Sequence, residues 1–294
     1  MAYETFAELL EAACEHGSLA RAALAQEVVE SGESAGAVRA RLTGHLTVMR
    51  DAVEFGLNGT ARSRSGLVGG DAARIDAAQG GPLDGVASRA IAAAVAVAEV
   101  NASMGRVVAA PTGGASGVLP GVLLTLADER ALGDDAIVDA LLAAGAIGAV
   151  IASRTNLSGA AAGCQAEIGA GAAMAAGAAT ELLGGTPEQS GHAASLALQG
   201  LLGLVCDPVG GLVEVPCVMR NATGTAVALS AIQMALAGVR FPIPFDQVAD
   251  ALASVGRALP VSLRETATGG LAITPAARAL VSGGADPATD ISGR

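Results

Sequence analysis

From Gly85 onward the chain is written largely in Ala, Gly, Val and Leu, with long runs that carry no charge at all. A helix that is apolar around most of its circumference has no face to offer to water, so it must sit inside a bundle. Aromatic residues make up only 2% of the chain, so close approach of small side chains, rather than large anchors, has to fill the interior. Few runs combine β-branched alternation with hairpin turns, and strand signals are correspondingly sparse. The expected fold is mainly α: a helical bundle of Ala/Gly-rich buried helices interrupted by glycine-rich loops. One unit of 294 residues is expected, with peripheral N-terminal helices over about 1–56 and a helical core over about 85–283.

The N-terminal part reads differently. Phe6, Leu9, Leu10 and Ala13 recur at helical spacing among charged neighbours. Ser18 and Ser34 stand where N-caps belong, the second ahead of a long amphipathic run to Phe55. A Gly/Ser-rich connector follows from Leu57 to Asp71. Further on, Thr186-Pro187-Glu188 is a helix start, with a capping hydroxyl and proline at the first helical position.

Several classes of function are excluded or disfavoured by composition. The chain is 52% hydrophobic and 15% charged, which is incompatible with disorder. Its mean hydropathy of +0.52 raises the question of a membrane. One uncharged apolar candidate, Ala140 to Ala152, is shorter than the roughly 20 residues a span requires. The stretch from Thr223 to Val239 is broken by Thr225, Ser230 and Gln233. Both are expected to be buried core helices. A net charge of −11 disfavours nucleic acid and anionic membrane as partners. Met1 to Glu11 holds three carboxylates and lacks a signal-peptide layout. The expected location is the cytoplasm, where four cysteines favour metal binding or catalysis over disulfides. All 17 basic residues are arginine. Without a lysine amine, pyridoxal phosphate cannot be anchored as a Schiff base.

Three glycine-punctuated loops interrupt the apolar helices. The first is Ala110-Pro111-Thr112-Gly113-Gly114-Ala115-Ser116-Gly117, ahead of a helix around Val118 to Leu126. Amides at such a helix start suit an anion such as a carboxylate. The second, Asn156-Leu157-Ser158-Gly159-Ala160, leads to Gly163-Cys164-Gln165-Ala166-Glu167. The third runs from Cys206-Asp207-Pro208-Val209-Gly210-Gly211 to Val215-Pro216-Cys217. By this reading Cys164 opens a helix, Cys206 closes one and Cys217 begins another. Thiolates and an anionic cluster are favoured at positive helix ends. Spacing leaves two readings open: ligands of an iron-sulfur cluster, or ordinary buried thiols in an apolar core. The 41 residues between Cys164 and Cys206 fit no compact ferredoxin or zinc pattern.

The segments Gly163-Cys164-Gln165-Ala166-Glu167-Ile168-Gly169 and Cys206-Asp207-Pro208-Val209-Gly210-Gly211-Leu212-Val213-Glu214-Val215-Pro216-Cys217 resemble the cluster-binding motifs of iron-sulfur L-serine dehydratases. Similar family segments are Ala110-Pro111-Thr112, Ser65-Gly66-Leu67-Val68-Gly69-Gly70-Asp71, and Arg264 through Ala272. The resemblance covers almost the whole chain. It implies a [4Fe-4S] cluster on Cys164, Cys206 and Cys217, with one iron open to act as a Lewis acid on the serine hydroxyl. It also implies an ammonia-lyase of amino-acid degradation and gluconeogenesis, yielding pyruvate and ammonia through an aminoacrylate. The absent lysine fits, because iron replaces the work of a pyridoxal ring.

Thr112, Ser116, Ser158 and Arg220 are candidate substrate contacts, the hydroxyls doubling as turn residues and Arg220 suited to a carboxylate. Asp207 is read as a turn former, Glu214 and Arg220 as residues that orient the site, and Arg264 with Glu265 as a structural ion pair. Cys14 reads as a packing residue. His16 and His45 read as solvated, and His192 as satisfying a local hydrogen bond. No general base emerges. In the family a β chain or β domain carries a histidine-containing motif, so a separate β chain is expected to supply the base, in an oligomer. The tail Ile291-Ser292-Gly293-Arg294 offers no cysteine, which assigns the fourth cluster position to water, substrate or a partner group. Two competing functions are a related enzyme releasing sulfide from L-cysteine, and a non-catalytic small-molecule binding or transport component.

Overall fold

The computed structural model describes residues 3–78, 81–83 and 85–282; the tail residues 291–294 and the last position of the expected core lie outside this range. Among the described residues the chain forms thirteen α-helices and no strand beyond an isolated bridge. They are α1 (Phe6–His16), α2 (Leu19–Ser31), α3 (Ala35–Leu57), α4 (Asp71–Ala77), α5 (Val86–Ala102), α6 (Val118–Glu129) and α7 (Asp134–Ala152). After these come α8 (Gly159–Ala162), α9 (Ala170–Leu182), α10 (Pro187–Gln199), α11 (Cys217–Leu236), α12 (Phe245–Ala258) and α13 (Pro275–Ser282). The mainly α expectation holds.

α9 is the axis of the bundle. Its residues from Ala170 to Thr180 are all buried, and it is surrounded by α6, α7, α10 and α11. Such enclosure needs small side chains at the crossings. A methyl group placed on Gly121 of α6 would lie 2.7 Å from the Ala90 carbonyl oxygen and 2.8 Å from Ala94 Cβ. One on Gly148 of α7 would lie 3.0 Å from Met174 Sδ. Helix backbones therefore meet where a larger residue would hold them apart. α7 is the described helix that is long and apolar enough to cross a membrane by composition. Eleven of its residues are buried and it packs on α2 and α9, as a core helix does.

The N-terminal helices begin at the expected caps. Ser18 accepts from the Arg21 amide and Ser34 from the Ala37 amide, and Thr186 forms a capping box with Gln189 at the start of α10. α1 and α2 stop at Gly17 and Gly32, whose φ values of 87° and 70° are left-handed, so each breaks its helix without the strain another residue would feel. Their apolar faces are laid on the bundle: Leu9 and Leu19 are fully buried in the same core as Ile147 and Ala172. Full burial of a leucine is worth roughly 1.5–3 kcal/mol.

Candidate functional site

The three cysteines arrive from separate segments and are all buried: Cys164 at 2%, Cys206 at 2% and Cys217 at 5% exposure. Cys164 immediately precedes a π-helical turn, Gln165–Gly169, which runs into α9. Turns of this type insert a residue and recur at functional sites. Gln165 sets the turn in place: its amide nitrogen donates to Ala162 O at 2.9 Å and Leu252 O at 3.1 Å, and its oxygen accepts from the Gly203 amide at 2.9 Å. Cys217 is the first residue of α11, as expected. Cys206 is placed differently from the sequence reading. It does not close a helix, because α10 ends at Gln199, and it lies in an extended link bridged to Arg264. The Cys206 amide donates to Leu263 O at 2.9 Å and its carbonyl accepts from the Glu265 amide at 2.7 Å. Pairing with a segment nearly sixty residues away overrides whatever helical tendency the local sequence has.

A network of polar groups braces this centre. Asp207, 2% exposed, accepts from the Leu271 amide at 2.7 Å and from Arg220 Nη2 at 2.8 Å. Arg220 Nη1 donates to Val205 O at 2.8 Å. Each terminal nitrogen of Arg220 thus ties down a residue flanking Cys206. Glu214 is buried and accepts from the Ser65 amide at 3.2 Å and from the Ser65 hydroxyl. This fastens the Ser65-Gly66 loop to the segment before Cys217. Asn221, fully buried on α11, accepts from the Gly117 amide at 3.0 Å and donates to Gly114 O at 2.8 Å and Cys217 O at 3.0 Å. It joins the first glycine loop to the turn that bears Cys217. Arg264 and Glu265 form no ion pair with each other among the described residues. Arg264 Nη1 instead reaches Ala161 O at 3.4 Å, and Glu265 turns the chain there with a left-handed φ of 61°.

Glu167, read from sequence only as part of a motif, faces the sulfurs. One of its carboxylate oxygens, Cys164 Sγ and Cys206 Sγ all lie within 4.8 Å of one another. The other oxygen accepts from Thr112 Oγ1 at 2.7 Å, which brings the first loop to the cysteine centre. Ser116 is 1% exposed and its hydroxyl makes no hydrogen bond. Ser158 caps α8, accepting from the Ala161 amide at 3.2 Å. Cys14 is exposed on α1, and His192 lines a cleft with Phe6, Leu10 and Phe241, away from the cysteines.

The electrostatics of the centre favour one anionic sulfur. Thiol donation from Cys206 and Cys217, together with the Arg220 guanidinium, holds Cys164 down to about 3 against the effect of burial. Cys206 and Cys217 are pushed up, first by donating to Cys164 and then by burial and its negative charge. Burial is the chief cause that raises Glu167 to about 7, assisted by Cys164 and Glu265 and opposed by the Thr112 hydrogen bond. Hydrogen bonding to Cys164 thus favours the protonated forms of Cys206 and Cys217. A metal centre would replace those protons.

Residues 15–272 match the family model described as serine dehydratase alpha chain. A protein of Bacillus subtilis named probable L-serine dehydratase, alpha chain, is 46% identical over 260 residues, 87% of this chain and 86% of the relative. A protein of the same name from Latilactobacillus sakei is 51% identical over 191 residues, covering 65% of this chain and 91% of the relative. An L-serine dehydratase of Mycobacterium tuberculosis is 47% identical over 188 residues, 62% of this chain but 41% of that longer protein.

Proposed function

The chain belongs to the serine dehydratase alpha-chain family, and from that premise we propose that it is an L-serine ammonia-lyase built around a [4Fe-4S] cluster on Cys164, Cys206 and Cys217. The observation that carries the reading is the convergence of three buried thiols from distant segments, with the Glu167 carboxylate beside two of them. The donor set fits the group. Iron-sulfur clusters take thiolates, and the arginine beside Cys164 offsets the negative charge that such a centre gathers. When bound, the cluster supplies Lewis acidity at an iron lacking a cysteine, favouring departure of a hydroxyl group.

The chain's own residues then divide the remaining work. Asp207 and Arg220 keep the Cys206 link rigid, and Asn221 does the same for Cys217 and the first loop. A buried hydroxyl without a partner costs free energy unless something binds it. Ser116 is therefore assigned to the substrate, along with Thr112, whose loop faces Glu167. Ser158 accepts one hydrogen bond as a cap and keeps its own proton for donation. Arg220 supplies positive charge toward a substrate carboxylate. L-serine loses its α-hydrogen and its hydroxyl as water, and the aminoacrylate released hydrolyses to pyruvate and ammonia. The base that takes the α-hydrogen is assigned to a separate β chain. The alpha-chain names of the relatives from Bacillus subtilis and Latilactobacillus sakei support such a partner. Cytoplasmic residence, an oligomeric assembly and a part in amino-acid degradation and gluconeogenesis complete the reading.

The test is iron and sulfide analysis with an absorption spectrum on anaerobically purified protein, assayed for pyruvate from L-serine with and without the β chain. The expected result is a cluster that is lost in Cys206→Ala, and serine-dependent pyruvate once the β chain is present. Sulfide released from L-cysteine in place of pyruvate from serine would reassign the substrate. Protein with no iron after anaerobic purification would sink the cluster reading.

A further inference from the structure

We propose that the Glu167 carboxylate is a fourth protein ligand of the metal centre, an oxygen donor that fills the position left open by the three cysteines until a substrate hydroxyl displaces it. The inference rests on the cluster reading above and names a ligand which that reading leaves unassigned.

Three features of the geometry meet at this carboxylate. Glu167 follows Cys164 by three residues on the π-helical turn, so that Oε2 stands 4.0 Å from Cys164 Sγ. Thr112 holds Oε1 at 2.7 Å, which fixes the plane of the carboxylate and leaves Oε2 toward the sulfurs. The space they share is made by Gly159. A Cβ on that residue would lie 2.6 Å from Glu167 Oε2 and 2.8 Å from Cys206 Sγ. Any side chain there would fill the room in which carboxylate and thiol face one another.

The charges around Glu167 point the same way. No arginine or histidine forms a salt bridge with it among the described residues; its hydrogen-bond partner on Oε1 is the neutral Thr112 hydroxyl. A carboxylate oxygen within 4.8 Å of two cysteine sulfurs forms a set of donors that a cation can join. Iron is such a cation. Three thiolates and one carboxylate carry the same total charge as the four thiolates of an ordinary [4Fe-4S] site. The oxygen is a harder and weaker donor to iron than thiolate, so it can yield to an incoming hydroxyl where a fourth cysteine would resist.

The test uses the full chain, reconstituted anaerobically, reduced by one electron and held in water enriched in the magnetic isotope of oxygen. Electron–nuclear double resonance then reports whether solvent oxygen is bound to the cluster. The expected result is no solvent-oxygen coupling in the wild type without substrate, and a strong coupling in Glu167→Ala at equal iron content. Solvent coupling of equal strength in the wild type would overturn the proposal while leaving the cluster intact. A wild type that binds no iron would overturn the cluster reading, and this inference with it. If Glu167→Ala fails to hold iron, Thr112→Val replaces it. Freeing Oε1 should then admit partial solvent coupling, and a spectrum identical to wild type would count against the proposal.

Discussion

Asp207 shows how much a single buried carboxylate does for the site. It is paired with Arg220 at 2.8 Å and receives the Leu271 amide at 2.7 Å. Removing one partner of a buried pair costs about 3–5 kcal/mol, because the other charge is left uncompensated. Arg220→Met should therefore destabilise the protein by that order in urea unfolding. The double variant Arg220→Met/Asp207→Asn should lose distinctly less than the two single losses added, and strict additivity would refute the coupling. Glu99 is a second such residue, 1% exposed on α5. One oxygen accepts from the Asp71 amide at 2.7 Å and the other makes no hydrogen bond. Desolvation raises its pKa above the ordinary carboxylate value. The sign follows from linkage. Stability from the neutral form is complete below the unfolded pKa and is lost as pH rises through the higher folded value. Glu99→Gln, which stays neutral, should thus gain on the wild type between a pH below the unfolded carboxylate value, about 4.3, and neutral pH. Urea unfolding of both proteins at the two pH values decides it, and a constant difference would assign Glu99 no titration in this range.

At the scale of elements, the glycines separate into two kinds that sequence cannot tell apart. Gly121 on α6 meets the backbone of α5, with Ala90 O at 2.7 Å and Ala94 N at 3.0 Å from any added Cβ. Gly145 on α7 is exposed and has nothing within 4 Å. Helix propensity alone favours alanine at either position by about 1 kcal/mol. Gly121→Ala should nevertheless destabilise by roughly 1–3 kcal/mol, since backbone cannot move aside. Gly145→Ala should stabilise by about 0.5–1 kcal/mol. Thermal unfolding of the two variants checks both signs. The same distinction explains what the sequence could and could not disclose. Ser18, Ser34 and Thr186 are legible as caps because a cap is a local bond, three residues long. The apolar helices are legible because their composition admits no solvated face. The extended link at Cys206 is hidden, since it depends on the bridge to Arg264. Glu167 and Asn221 are hidden for a related reason: their importance comes from Thr112, Gly114 and Gly117, which only the fold brings near. The signal that could have found them is a polar residue isolated in an apolar helix, three or four positions from a cysteine.

For the molecule as a whole, the first two helices are fastened by one repeated device. In α1 the cap residue Thr5 takes the Glu8 amide at 3.1 Å, while Asp246 of α12 takes the Phe6 and Ala7 amides at 2.8 and 3.4 Å. In α2 the cap Ser18 takes the Arg21 amide at 3.1 Å, while Glu181 of α9 takes the Leu19 and Ala20 amides at 2.7 and 3.0 Å. The first turn of a helix has orphan amides and a positive dipole end. In each case a local hydroxyl satisfies the third amide and a distant carboxylate the first two, so helix and bundle complete each other. Packing reinforces the joint: the Phe6 and Phe245 rings meet edge to face, 5.5 Å apart at 69°. The N-terminal helices should consequently unfold with the bundle rather than before it. Asp246→Ala/Glu181→Ala removes both distant carboxylates and should cost on the order of 3–6 kcal/mol, at about 1.5–3 kcal/mol for each lost charged acceptor. Calorimetry should still show a single transition, shifted to lower temperature. Leu9 and Leu19 remain buried in the common core, so the loss falls on one cooperative unit. A separate early transition, with hydrogen exchange accelerated in α1 and α2 alone, would instead mark these helices as a module that melts independently of the cysteine-bearing bundle.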